Sequence, residues 1–206
     1  TLQESDPDRN QALSGQLLAY QGWFLMRQGL YAPAREVLQQ SITLFRQLDN
    51  RAELAAPLQF LGILTSEVGE YGEAKQLLQE SLAIYREIDD QREIAWTLSN
   101  LGYCISNLED GERLEAKQIL QESLAIYKTI GDKQGIAIVL NNLGYVHYQL
   151  GEYPEANQQF QESLALRREI GYPRGIAVAL NNLGHVAGAL EDYEAGQTYY
   201  NESLKI

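Results

Sequence analysis

The sequence predicts an all-α solenoid of five stacked helical hairpins, and three observations predict it. The block from Gly135 to Leu164, GIAIVLNNLGYVHYQLGEYPEANQQFQESL, returns 40 residues later from Gly175 to Leu204 as GIAVALNNLGHVAGALEDYEAGQTYYNESL. Five glycines, Gly22, Gly62, Gly102, Gly144 and Gly184, follow one another at steps of 40, 40, 42 and 40. Five serines, Ser41, Ser81, Ser123, Ser163 and Ser203, keep the same beat at steps of 40, 42, 40 and 40. Self-similarity at such a period marks an array of one supersecondary unit, each copy too small to bury its own apolar face.

The units run over about residues 11–50, 51–90, 91–131, 132–171 and 172–206. The two markers place the two extra residues between Gly102 and Ser123. Comparison of LEDGERLEA with LGEYPEA narrows them to the turn near Glu109 to Leu114, where an insertion is tolerated. Within a unit the pattern is helical. Ile136, Leu140, Leu143, His147 and Leu150 recur on one face of a 3.6-residue helix. Gly151 stops that helix and Glu152-Tyr153-Pro154-Glu155 opens the next, since Pro is tolerated in a first turn and acids suit the positive helix end. Ala156, Phe160, Ser163, Leu164 and Arg167 give the second helix its face, and Gly171 ends it. The same reading predicts helix pairs over about 11–28 with 32–48, 51–68 with 71–88, 91–108 with 112–130, 133–150 with 153–170, and 173–190 with 193–205. Gly in a helix interior costs about 1 kcal/mol against Ala. Its return in every unit therefore predicts a close helix crossing, with Ala34, Ala74, Ala116, Ala156 and, in the last unit, Gly196 as the facing small residues.

Composition narrows the function. Hydrophobic residues make up 45% of the 206, enough for a substantial core. The apolar runs are short, as from Ile136 to Leu140, so no segment is expected to span a membrane. The formal net charge of -12 argues against a nucleic-acid surface, which needs clustered Lys and Arg. The one cysteine, Cys104, excludes an intrachain disulfide and a CxxC site, and fits a reducing, cytoplasmic setting. The polar start TLQESDPDRN lacks both Met and a signal-like apolar stretch, and the chain is expected to be part of a larger multidomain protein. There is no phosphate-binding Gly-rich loop, HExxH or nucleophile elbow, so no enzyme, cofactor or metal site is expected.

The L-G, Y-x-E-A and aromatic-or-Leu-then-Ser pattern resembles the tetratricopeptide repeat over about residues 11 to 206. The 40-residue form, with its LNNLG, LGEY and ESLAI segments, is similar to repeats of kinesin light chain, of Pins-type polarity adaptors, and of the sensor regions of bacterial STAND-class signalling NTPases. The first unit departs most, with Gln21 and Gln28 where later units carry Leu or Val, as a capping or junction unit would. The resemblance implies a right-handed superhelix whose first helices line a concave groove.

Residues of the first helices that turn away from the expected core are then candidates. They are Tyr20, Trp23, Met26 and Arg27 in the first unit, and Gln59, Phe60, Ile63, Ser66 and Glu67 in the second. The third gives Trp96, Ser99, Asn100, Tyr103 and Asn107; the fourth Ile138, Asn141, Asn142, Tyr145 and Tyr148; the fifth Val178, Asn181, Asn182 and His185. Asn100, Asn142 and Asn182 share one register position, although Asn is a mediocre helix former. Packed helices lie about 8–10 Å apart, and an extended peptide rises about 3.3 Å per residue. Each Asn would thus meet about every third residue and offer a donor and an acceptor to the peptide backbone. The resemblance to kinesin light chain and Pins-type adaptors implies such an asparagine ladder. The other reading, that the amides brace neighbouring helices, stays open. Trp23, Trp96, Tyr103 and Tyr145 would add aromatic anchors, with Trp96 also read as core between units. A clamp for a C-terminal carboxylate is not expected, because only Arg27 is basic in the groove.

Other series read as structural. Arg46, Arg86, Lys128 and Arg168 are placed to compensate helix dipoles. Glu80, Glu122, Glu162 and Glu202 read as a solvated outer face. Cys104 and His147 read as core, and His185 as a groove residue that could meet a ligand. The expected function is a non-enzymatic protein- or peptide-binding module, the sensor of a bacterial signalling or defence NTPase, whose other partner is an effector or NTPase domain of the same chain or complex. A scaffold that self-associates or makes autoinhibitory contacts is the alternative, suggested by Tyr199, Tyr200 and Leu204 on a last helix with nothing after it to cover them.

Overall fold

The computed structural model describes residues 7–108 and 112–206, and the side chains from residue 9 onward. The inner part of the two-residue insertion, residues 109–111, lies outside the described residues. Ten helices follow one another among the described residues: α1 (Pro7–Arg27), α2 (Tyr31–Gln47), α3 (Arg51–Glu67), α4 (Tyr71–Glu87), α5 (Gln91–Ser106), α6 (Arg113–Ile130), α7 (Lys133–Gln149), α8 (Tyr153–Ile170), α9 (Pro173–Ala189) and α10 (Tyr193–Ser203). They form five consecutive pairs of the tetratricopeptide solenoid type, as the periodicity predicts. The chain divides into two compact units, Thr1–Cys104 and Ile105–Ile206, with the boundary inside α5.

Turn chemistry sets the pairs apart. Gly29, Gly69, Gly131, Gly151 and Gly171 hold positive φ between 71° and 86°, where a Cβ is unfavourable. Asp49, Asp89 and Glu191 take the same left-handed conformation at φ of 50°, 57° and 62°. Asn50, Asp90, Asp132 and Asp192 accept the backbone N–H three residues on, which caps α3, α5, α7 and α10.

In the first unit α1, α2, α3 and α4 pack in succession, and α1 also meets α3. In the second, α6 to α10 pack in the same manner, and α7 meets α9. Four of the recurring glycines have described contacts at the crossings, and a large side chain covers each of these four. A Cβ on Gly22 would fall 2.5 Å from Leu38, on Gly62 2.8 Å from Leu78, on Gly144 2.7 Å from the Phe160 ring, and on Gly184 2.6 Å from the Tyr200 ring. The series Ala34, Ala74, Ala116 and Ala156 is fully buried. Ala34 and Gly196 do touch their crossings: a Cβ on Gly22 would lie 3.3 Å from the Ala34 carbonyl, and one on Gly196 3.4 Å from the Gly184 carbonyl.

The serine marker has a physical cause. Ser41 donates to the Gly15 carbonyl at 2.8 Å, Ser81 to that of Ala55 at 2.9 Å, Ser163 to that of Ala137 at 2.7 Å, and Ser203 to that of Ala177 at 3.2 Å. Each bond staples a second helix to the first helix of its own pair. A buried hydroxyl needs a partner, and a helix carbonyl has a spare lone pair. The basic and acidic series also join. Arg46 pairs with Glu80 at 3.1 Å and Arg168 with Glu202 at 2.5 Å, so these two basic residues join successive second helices as well as sitting near helix ends. Exposed pairs of this kind are worth about 0–1 kcal/mol.

Cys104 is fully buried and its thiol donates to the Tyr71 carbonyl at 3.0 Å. His147 is packed in the second unit with Nδ1 2.5 Å from Glu152 Oε2. Hydrogen bonds from Lys117 and then His147 hold the Glu152 carboxyl below the usual range. Tyr199 and Tyr200 are half-buried, Tyr199 against the core around Phe160 and Leu183, Tyr200 over Gly184; Leu204 remains 85% exposed.

Candidate functional site

The inner faces of the first helices are less open than the sequence pattern suggests. Met26, Gln59, Phe60, Ile63, Ser66 and Ser99 were expected away from the core and are buried. The cause is crowding on several sides: every residue of α3 from Pro57 to Ser66 is buried. Gln59 spends its amide N–H on Thr97 Oγ1 at 2.7 Å, joining α3 to α5.

Each unit keeps a cleft lined by candidate residues of its first helices. The second unit's has a volume of about 310 Å³ and is lined by Tyr145, Tyr148, Phe160, Asn182 and His185. Leu143 and Gly144 face the core, which turns Tyr145 and Tyr148 outward one helical turn apart. His185 takes Tyr145's place on α9, and Asn182 stands one turn before it. Tyr145 Oη donates to Asn107 Oδ1 at 3.1 Å, and His185 Nδ1 lies 3.1 Å from Tyr200 Oη. Asn182 donates to Asn141 Oδ1 at 3.0 Å, an amide–amide bond from α9 to α7. Part of the amide series is thus already engaged within the protein. Asn182 keeps its second N–H and its carbonyl oxygen for other partners, and Asn141 keeps its amino group. Asn181 is exposed and Asn142 half-buried, and neither lines the cleft.

The first unit's cleft, about 520 Å³, is lined by both aromatic and acidic side chains. Tyr20, Trp23, Phe60 and Trp96 meet Ala52, Glu53, Ala56, Gln59, Tyr85, Ile88, Asp90 and Glu93. Trp23 lies 5.0 Å from the Phe60 ring and 5.4 Å from the Trp96 ring, edge to face with the latter. Phe60 stands 6.0 Å from Trp96 and 6.3 Å from Tyr20. Burial pushes the Glu93 carboxyl above the usual carboxylate range, against the hydrogen bond from Gln59 that favours its ionised form. Burial also raises the Tyr85 hydroxyl, which stays protonated. Asn100 donates to the Trp96 carbonyl of its own helix at 2.8 Å, and Tyr103 is exposed; neither lines this cleft.

Of the residues expected in the groove, the structure gathers Tyr20, Trp23 and Trp96 in one cleft and Tyr145, Asn182 and His185 in the other. The first unit's acids are the part that sequence reasoning missed. Their signal was Glu53 and Glu93 at one register position, 40 residues apart, where the second unit has Gly135 and Gly175. Among the described residues no group of three or more His, Cys, Asp or Glu is placed to hold a metal ion. No described helix is long and apolar enough to cross a membrane.

Comparisons with known proteins bear on the fold. No curated protein matches the sequence. Among solved structures, a Rap protein complexed with competence and sporulation factor superposes with a TM-score of 0.83 at 17% identity, covering 91% of this chain and 52% of that one. The STAND signal-transduction ATPase with a tetratricopeptide repeat sensor from Pyrococcus horikoshii gives 0.73 at 18%, covering 90% and 28%. The nearly identical repeats of a putative kinesin light chain from Podosopora anserina give 0.69 at 17%, covering 98% and 96%. The chain therefore spans about half of the Rap protein and little over a quarter of the ATPase. Family models described as tetratricopeptide repeat match residues 16–87, 89–169 and 177–206, which is most of the sequence. With the helix pairs, the glycine crossings and the serine staples they account for, the chain belongs to the tetratricopeptide repeat family.

Proposed function

We propose that the chain is a non-enzymatic module that binds an extended protein or peptide segment along its first helices. In this reading it is the ligand-sensing region of a bacterial STAND-type signalling or defence NTPase in the cytoplasm, coupled to an effector or NTPase domain of the same chain or complex. The observation that carries the binding function is the second unit's cleft, where two tyrosines of α7 and one amide and one histidine of α9 line about 310 Å³. Aromatic rings that also carry polar tips supply much of the energy at binding sites. Asn182 has hydrogen-bonding capacity beyond its bond to Asn141, enough for one peptide N–H and C=O. The sensor role draws its support from the likeness to the Pyrococcus ATPase.

Selection from a displayed library of random unstructured peptides tests the reading. The wild type should enrich a restricted set, and Tyr145→Ala with His185→Ala should bind that set at least tenfold more weakly while keeping its helical circular dichroism. Asn182→Ala then separates the two roles of the amide. Lost binding at an unchanged Tm supports the backbone clamp. A lower Tm with binding retained makes Asn182 a brace for Asn141. Failure to enrich any peptide, or equal binding by the double variant, overturns the proposal.

A second reading, self-association, has one specific observation behind it. Leu13, Leu17, Tyr20 and Phe24 are 49%, 71%, 64% and 61% exposed and form one stripe along α1. Light scattering that shows a concentration-dependent oligomer, abolished by Leu17→Glu, would favour it.

A further inference from the structure

The first unit's cleft is chemically unlike the second's, and we propose that it binds an organic cation, a guanidinium or alkylammonium group, between its tryptophans and its acids. The wall formed by Trp23, Phe60 and Trp96 has neighbouring ring centroids 5.0 to 6.0 Å apart at tilted or perpendicular angles. All three rings line the cleft, and an aromatic face attracts a cation already stripped of water. The molecule shows the affinity of this wall itself: the Arg27 guanidinium sits 5.8 Å from the Trp23 ring centroid, beside the cleft and not among its lining residues.

Glu53, Asp90 and Glu93 line the same space as the rings, Glu93 one turn before Trp96 on α5, and among the described residues no basic side chain lines it. Acids in a first helical turn are common for reasons of capping and dipole, and Glu53 and Glu93 both occupy such positions. Two facts go beyond that ordinary role. None of the three carboxylates forms a salt bridge among the described residues, although Arg35, Arg46 and Arg51 of the same unit all do. Gln59, fully buried in the lining, donates its N–H to Thr97 and leaves its Oε1 without a hydrogen-bond partner. A buried acceptor left unpaired costs about 1–3 kcal/mol, and beside it stands the part-buried Glu93 carboxylate with a hydrogen bond from Gln59 but no ion-pair partner. A donor-only ligand with positive charge relieves both. Guanidinium and ammonium groups are donors without acceptors, and the cleft's volume of about 520 Å³ accommodates the group with its alkyl stem. The site shares no lining residue with the second unit's cleft, so it stands or falls independently of the peptide-binding proposal.

The chain's two tryptophans both line this cleft, so intrinsic fluorescence reads it alone. The probes are agmatine, an acetylated and amidated pentapeptide with arginine at its centre, and the same peptide with citrulline, which keeps the shape and removes the charge. Agmatine and the arginine peptide should each give a saturable fluorescence change, with citrulline at least tenfold weaker. Arginine peptide at least tenfold tighter than agmatine identifies a protein side chain as the ligand; equal affinities identify a free amine. Glu93→Gln should weaken the arginine peptide about tenfold while the fold is retained. Trp96→Phe, which keeps a ring, should weaken it less than Trp96→Leu. Citrulline binding as well as arginine, an unaffected Glu93→Gln, or no saturable signal from either cation would overturn the proposal.

Discussion

At the register position of the amide series the first unit holds Tyr20 and Phe60 before Asn100, and the second holds Asn142 and Asn182. Two helical turns earlier on the same helices, the first unit has Glu53 and Glu93 where the second has Gly135 and Gly175. Those exchanges leave the frame alone. In both units a serine of the second helix is bonded to a carbonyl of the first, and a large side chain fills the space over each crossing glycine for which the contact is described. The comparison teaches that the repeat fixes where side chains go and leaves free what they are. Gly135 even shows the coupling between the two levels: it admits the Tyr127 ring, to which a Cβ would come within 2.3 Å, so an acid like Glu93 could not stand there without moving that ring.

The largest expected effect tests whether the second cleft depends on its core. Phe160 is 2% exposed, covers Gly144 and also lines the cleft. Phe160→Ala should cost about 3–5 kcal/mol in chemical unfolding and abolish peptide binding. Leu78→Ala, its counterpart in the first unit, should cost about 2–5 kcal/mol but leave the second cleft's binding intact.

Arg167 marks a difference inside the frame itself. It is buried where the equivalent residues are Phe45, Tyr85 and Tyr127, its guanidinium donates to the Gly175 carbonyl, and desolvation lowers its pKa. No carboxylate compensates it, so Arg167→Met, of similar length and without the charge, should raise stability by about 1–3 kcal/mol. A loss of stability would mean that its bond to Gly175 outweighs desolvation.

The shared staples predict equality. Ser81→Ala and Ser163→Ala should each cost about 1 kcal/mol, and by the same amount within error, because the bonds are 2.9 and 2.7 Å and both hydroxyls are fully buried. A clear inequality would break the claim that both units rest on one frame.

The smallest effect is a pH dependence confined to the first unit. Burial raises the folded pKa of Glu93, with Asp90 raising it further and Gln59 and Arg92 opposing; Glu53 and the neutral Tyr85 also face the cleft. A raised folded pKa means that Glu93's contribution to stability is full below its unfolded pKa and is lost as pH rises through the folded value. Glu93→Gln should therefore raise Tm at neutral pH, with the gain shrinking as the wild-type carboxyl protonates. Thermal melts across pH 3 to 8 check this, and a destabilised variant at neutral pH would contradict it.

The array was legible in the sequence because its causes are local and repeated. Gly144 and Ser163 recur for steric and hydrogen-bonding reasons that act within one hairpin, so they mark the register even before their partners are known. The clefts were legible only in part. Trp23 and Tyr145 could be placed on a helix face, but helical periodicity cannot say which face a neighbouring pair will cover. Phe60 and Gln59 were thus expected open and are buried, since α3 is packed on several sides. The Arg46–Glu80 and Arg168–Glu202 pairs escaped notice because they join different repeats, a distance that no pattern within one repeat displays.

Heteronuclear NMR of side-chain N–H groups tests most directly whether the two clefts recognise different chemistry. Titration with the arginine pentapeptide should move the two indole signals, from Trp23 and Trp96, and the Gln59 amide, while the amides of Asn141 and Asn182 stay fixed. Still indoles, or shifts that begin at Asn141 and Asn182, would contradict the account.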